Sequence, residues 1–149
     1  MELKQRAKAL VDEFSRIPGW EERYKLVIKK GKQLQEFPDS WQQEKFRIKG
    51  CQSQVWLVPR LTEGRVTFDA SSDAMIVKGI ISLLLEVYDN ASPKDILDFE
   101  PQYLSEIGIT DHLSMNRTNG LASMMKQIKL YAVAYQSLVD RGILNADHS

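Results

Sequence analysis

The residues able to do covalent chemistry are few, and they narrow the options quickly. One cysteine, Cys51, sits in "KGCQSQVW" at Lys49–Trp56, beside Gly50 and ahead of Gln52, Ser53 and Gln54. A core cysteine belongs on an apolar stripe, whereas this one lies in a polar connection, where a rigid scaffold tends to display reactive groups. Local context leaves both readings open: a small buried hydrophobe, or a thiol presented for reaction. One cysteine and two histidines are poor material for a zinc site or a cluster, which takes about four ligands. A cysteine hydrolase needs a histidine base against its nucleophile. His112 carries no local signature for that role and reads better as a loop or part-buried polar residue. Thiol–disulfide exchange with a resolving cysteine in the same chain is impossible. As a reagent, Cys51 is left with single-thiol chemistry on another molecule's sulfur.

Two charged residues join it. Arg117, in "LSMNRTNGL", falls at or just before the start of the last helix, where a cation opposes the helix dipole. It reads either as a solvated loop arginine or as a cation serving a thiolate, persulfide or carboxylate, and the residues alone favour the former. Asp73 reads as a first-turn acid of the preceding helix, with Ser71 or Ser72 as its N-cap. Lys49 is close enough in sequence to favour a thiolate, although strand alternation can turn its side chain away. The other basic groups, Lys29-Lys30 and Lys45-Arg47-Lys49, read as solvated faces, and Trp20, Tyr24 and Trp56 as packing residues.

The elements that must hold these residues follow from periodicity. Leu3, Ala7, Leu10, Val11 and Phe14 form one helical stripe over residues 2–15. Pro18 and Gly19 break the chain, and a second helix is predicted from about Trp20 to Lys30, with Gly31 at its C-terminal end. Residues 32–43 read as a connector, with Pro38, Asp39 and Ser40 as turn chemistry. Then the period changes to two: "EKFRIKG" alternates Phe46 and Ile48 with charges, "QVWLVPR" is apolar on both faces with Pro59 helping to end it, and "RVTFDA" follows the turn "LTEG". These predict a three-stranded antiparallel meander, with Cys51 between the first two strands. Helical spacing returns in "SSDAMIVKGIISLLLEVYDN". Ser92, Pro93 and Asp95 open a short helix, "EPQYLSEIG" forms another that stops at Gly108, and a long helix starts near Thr118. The class is α+β, a small antiparallel sheet flanked by helices.

Composition bounds the rest. The 149 residues favour one domain spanning 1–149, with 43% apolar and 27% charged residues in ordinary globular proportion. Twenty basic residues balance twenty acidic ones, so no global field draws nucleic acid or an anionic membrane. The N-terminus lacks the apolar core of a signal peptide, and no segment reaches the roughly 18 apolar residues of a membrane span. The expectation is a soluble, cytoplasmic protein that binds neither nucleic acid nor membrane.

Taken together, these pieces resemble the SufE-type sulfur acceptors, partners of PLP-dependent cysteine desulfurases. The matching segments are "GWEERYKLVIKKGKQL", "KGCQSQVWLV", "SSDAMIVKGIISLLLEVY" and "LSMNRTNGLASMMKQIK", in order and spacing over nearly the whole chain. Met115 and Asn116 depart from the Pro and Ser or Thr frequent before the arginine, and "KKGKQLQEFP" is more basic and polar than usual. The resemblance implies a SufE/IscU-like fold and a SufS-like or CsdA-like desulfurase partner. It implies that Cys51 takes the terminal sulfur of a desulfurase persulfide and relays it to a downstream iron–sulfur scaffold, with no metal or bound cofactor on this chain. It further implies a thiol tucked into an apolar pocket until a partner docks, Arg117 orienting the cysteine loop or the partner, and Asp73 anchoring the neighbouring helix start. Gln52, Ser53 and Gln54 would set the loop by hydrogen bonding. Two other functions stay open beside the relay: allosteric activation of a desulfurase without obligatory sulfur transfer, and an iron–sulfur scaffold.

Overall fold

The computed structural model describes residues 2–147. In chain order the elements are α1 (Glu2–Ser15), α2 (Trp20–Lys32), β1 (Val55–Thr62), β2 (Arg65–Ser72), α3 (Met75–Tyr88), α4 (Pro93–Asp98), α5 (Tyr103–Ile107) and α6 (Met115–Asp140). Single 3-10 turns form at Asp39–Trp41, Glu44–Phe46 and Thr110–His112. Helix α3 is the hub. Its buried residues run nearly all round it, from Ile76 and Val77 to Val87 and Tyr88, so it needs cover on every side. α1 and α2 supply it on one side and the β-hairpin on the other. Among the described residues no helix is long and apolar enough to cross a membrane.

The sheet has two strands, not three. β1 and β2 pair antiparallel from Val55↔Ser72 to Thr62↔Arg65, joined by Glu63 and Gly64, both with positive φ, as a tight hairpin turn of matching twist requires. The expected first strand, "EKFRIKG", is a 3-10 turn over Glu44–Phe46 followed by one bridge, Arg47↔Trp56. Its alternation is real but misleading. Phe46 is buried with Trp56 and Val58 on the outer face of β1, whereas Ile48 enters the main core. The turn thus sends two residues that alternation would align to opposite sides of the hairpin. β1 is therefore covered on both faces, as its apolar run suggested, by the helical core on one and by Phe37, Trp41 and Phe46 on the other.

Pro59 does not end β1; it pairs with Phe68 inside it. The carbonyl of Val55 accepts from Ile48 N–H, and Leu61 N–H donates to the Ala146 carbonyl, so polar groups of the odd-numbered residues face away from β2. Pro59 shares that parity, and its missing N–H costs no ladder bond.

Three more expectations change. Tyr24 is exposed rather than inward, lying edge-on to Trp20. Lys30 is not on a solvated face: it is buried, and its ammonium meets Glu13 of α1 at 2.9 Å and Glu86 of α3 at 3.0 Å. Burial pulls that ammonium's pKa down, but the two carboxylates outweigh it and hold it above the usual lysine range. Gly31 lies within the last turn of α2 rather than beyond it. Its reason is a close approach, since a Cβ there would stand 2.6 Å from the backbone nitrogen of Gly79.

The α2–α3 crossing is thus backbone against backbone, and it generates a test. A Cβ at Gly79 would lie 2.5 Å from both the Val27 carbonyl oxygen and its Cγ1. Gly→Ala in an open helix gains about 1 kcal/mol, but Gly79→Ala is expected to lose about 1–3 kcal/mol by overpacking. The readout is a lower urea midpoint with an unchanged slope; a raised midpoint would contradict the close crossing.

Candidate functional site

Cys51 stands where the chain crosses from the Glu44–Phe46 turn to the hairpin. Gly50 has φ +90°, a region that an L-residue rarely adopts, and a Cβ on it would also strike Ser123 Oγ at 2.5 Å. This turn sets the partly buried Cys51 against the start of α6, where its Sγ donates to the Gly120 carbonyl at 3.6 Å. A Cβ at Gly120 would stand 3.4 Å from Sγ, a close van der Waals contact, so the sulfur lies directly against this turn of α6.

The other end of the loop is tied to Asp73. Gln54 N–H donates to Asp73 Oδ1 at 3.0 Å, and Asp73 N–H donates to the Gln54 carbonyl at 3.3 Å. Asp73 is therefore not a first-turn acid. α3 begins at Met75 with Ala74 as its cap residue, and Ser72 Oγ accepts from Ala74 N–H to turn the strand into the helix. Among the described residues no side chain of Gln52, Ser53 or Gln54 makes a hydrogen bond that holds the loop; its anchor is the Gln54 main chain.

Cys51, Gln52 and Ser53 form one wall of a cavity of about 340 Å³, and Ser114, Arg117 and Gly120 form another. Its apolar lining comes from Val55, Val77, Ile80 and Met124. Arg117 joins Cys51 in the cavity lining, held there because α6 starts at Met115, three residues earlier than periodicity predicts. Ser114 is the cap, its hydroxyl accepting from Arg117 N–H at 3.3 Å and its carbonyl from Thr118 N–H at 2.9 Å. The signal was a serine three residues ahead of an N3 position, hidden because arginine stands there in place of the Glu or Gln of a capping box. Of the expected site residues, Cys51, Gln52, Ser53 and Arg117 share the cavity, while Gly50, Gln54 and Asp73 shape the loop from outside it. Sequence reasoning missed Ser114, Gly120 and the apolar residues Val77, Ile80 and Met124. His112 is not in the cavity lining; its ring stacks on Trp20 with centroids 4.2 Å apart.

Burial pushes the Cys51 thiol pKa up from its ordinary value, and the charge of Arg47 opposes this. The counteracting cation is Arg47, two residues before Lys49. Among the described residues no group of three or more His, Cys, Asp or Glu side chains is placed to hold a metal.

Fold and site together define an α+β protein with one shielded loop thiol. The SufE family model, described as an Fe-S metabolism associated domain, matches residues 8–132. An uncharacterized SufE-like protein of Rhizobium meliloti (strain 1021) is 36% identical over 125 residues, which cover 80% of this chain and 89% of the relative. The fold matches the solution structure of a hypothetical protein from Thermus thermophilus with a TM-score of 0.74 at 19% identity, covering 89% of this chain and 96% of the other. The chain belongs to the SufE family. That places it in iron–sulfur metabolism as a sulfur-transfer partner.

Two measurements follow from the geometry. Alkylation of Cys51 by iodoacetamide, followed against pH, is expected to inflect above the usual free-thiol value of about 8.5. Arg47→Gln should move the inflection higher still, because the thiolate loses its nearby cation; an inflection below the ordinary value would refute the shielding. Separately, Asp73→Ala should speed deuterium exchange at the Gln54 amide and cost roughly 0.5–1 kcal/mol of stability. Unchanged exchange there would show that the carboxylate does not hold the loop.

Proposed function

We propose that this protein is a persulfide relay, a single sulfur-acceptor domain acting in the cytoplasm between a PLP-dependent cysteine desulfurase and an iron–sulfur scaffold. The observation that carries the proposal is Cys51 itself, a lone thiol on a glycine-turned loop at a cavity with room for more than its own sulfur. Family membership supports the partner class.

The chemistry balances without an external oxidant. The Cys51 thiolate attacks the terminal sulfur of the donor's cysteine persulfide; the donor's S–S bond breaks and a new one forms on Cys51. The departing donor cysteine takes up the proton that Cys51 gave up, so thiol and persulfide exchange places with no net redox change. The thiolate is the attacking species, and the raised pKa of Cys51 keeps it scarce in the free protein. Docking that draws the loop away from Gly120 removes the hydrogen bond and the apolar cover that favour the neutral thiol. Arg117, at the rim of the cavity, is a cation for the resulting persulfide anion, whereas Gly50 and the Gln54–Asp73 pair guide the loop. Passage to the scaffold is the same exchange with Cys51 as donor.

The deciding experiment mixes the protein with a desulfurase and free cysteine and weighs the intact chain. Wild type is expected to gain one sulfur atom on Cys51, and Cys51→Ser to gain none and to lose its stimulation of cysteine turnover. Full stimulation by Cys51→Ser would convert the reading to activation without relay. A cluster retained after anaerobic reconstitution would point to a scaffold.

A further inference from the structure

A second recess, of about 490 Å³, is lined by the segment that leads into the Cys51 loop and by α6. Lys45, Arg47 and Lys49 line one bank and Lys126 the other, four cations against the single carboxylate of Glu44. Such a concentration is conspicuous in a chain whose formal net charge is +0. Arg47 is engaged by Glu44 at 3.2 Å, and Lys45 lies 4.9 Å from the centroid of the Phe46 ring. Lys49 and Lys126 make no ion pair among the described residues, and all four cations are exposed.

The recess is joined to the thiol loop by structure. Ser123 lines it and is also the residue that Gly50 packs against. One turn of α6 thus borders both spaces, Met124 facing the thiol cavity and Ser123 and Lys126 facing the basic one. Beyond Lys126, at helical spacing on the same face, Leu130 is 51% and Val133 55% exposed. The surface therefore passes from cationic to aliphatic along α6.

We infer that this basic groove is a docking surface for an acidic segment of the sulfur donor, two or more Asp or Glu residues followed by an aliphatic side chain. This deepens the relay proposed above and rests on it. Charge complementarity steers encounter and sets orientation more than it adds raw affinity. A segment held beside Ser123 also raises the effective concentration of its parent protein at the Cys51 loop. Single-stranded nucleic acid fits less well. Sites for it pair a basic track with stacking aromatics, and no aromatic residue lines this groove.

The test uses the full chain and a cysteine-loaded PLP-dependent desulfurase, and reads the concentration that half-saturates stimulation of cysteine turnover over a salt series. The variants are Lys45→Glu/Lys126→Glu and the milder Lys45→Gln/Lys126→Gln, both checked for unchanged unfolding midpoints. Sulfur uptake by Cys51 from sodium tetrasulfide, which needs no docking, normalises each variant for thiol reactivity. The double glutamate variant is expected to raise the half-saturating concentration about tenfold at low salt and to flatten its salt dependence, with a smaller rise for the glutamine pair. Half-saturation and salt dependence matching wild type in both variants would overturn the groove while leaving the relay intact, provided Cys51 still gains sulfur. Absence of sulfur on wild-type Cys51 would instead sink the relay beneath it. Binding of a mixed-sequence RNA oligonucleotide that is lost in the double glutamate variant, with desulfurase half-saturation unmoved, would reassign the groove to nucleic acid.

Discussion

Between the Glu44–Phe46 turn and the hairpin, the chain carries a polar loop across the edge of an apolar core, and the Gln54–Asp73 pair holds it there. These residues stand in register one step beyond Val55↔Ser72. Half of that extra rung is ordinary, Asp73 N–H to the Gln54 carbonyl, but the return bond comes from the Asp73 carboxylate. The substitution has a reason: the chain turns into α3 at Ala74, so a side chain completes the rung that a longer strand would have closed with backbone. The loop thus hangs from the same point at which the central helix begins.

At the far end of the loop two effects hold the thiol in its neutral form. An S–H that donates to the Gly120 carbonyl can do so only while protonated, and burial against Val77, Ile80 and Met124 penalises the anion. Both effects shield the sulfur in the free protein: the hydrogen bond rests on α6, the burial on α3 and α6 together. Arg47 counters them from the solvent side. Among the described residues the cavity lining contains no histidine and no carboxylate, so the relay proposed above relies on loop position rather than on a resident base.

Much of this was legible in the sequence, for reasons that differ residue by residue. The stripe of α1, the Ser92–Pro93 helix start and the "LTEG" hairpin rest on local rules, and they stand as read. The third strand failed because alternation reports which residues are buried but not where; Phe46 and Ile48 are both buried, in different places. Lys30 failed because its two carboxylate partners come from α1 and α3, distant in sequence. At the site, local context left Cys51 open and favoured a solvated loop for Arg117; the family resemblance singled out both, and both line the cavity. Gly120 was not legible, since its carbonyl accepts from a thiol 69 residues away in the chain. Ser114 was masked by the arginine it caps.

That masked cap bears on how the site is built. Starting α6 at Met115 rather than near Thr118 adds almost a full turn, and the added turn contains Asn116 and Arg117, both in the cavity lining. A helix beginning at Thr118 would leave the arginine on a loop, with no helical turn to hold it in the cavity lining. The Ser114 hydroxyl thus does for Arg117 what the Asp73 carboxylate does for Gln54: a short polar side chain completes a backbone pattern at the end of an element and fixes a neighbour as a consequence. Both devices lie at exposed termini of rigid elements, α6 and the hairpin. There a bond can be broken without unpacking the core that the hairpin and α6 share.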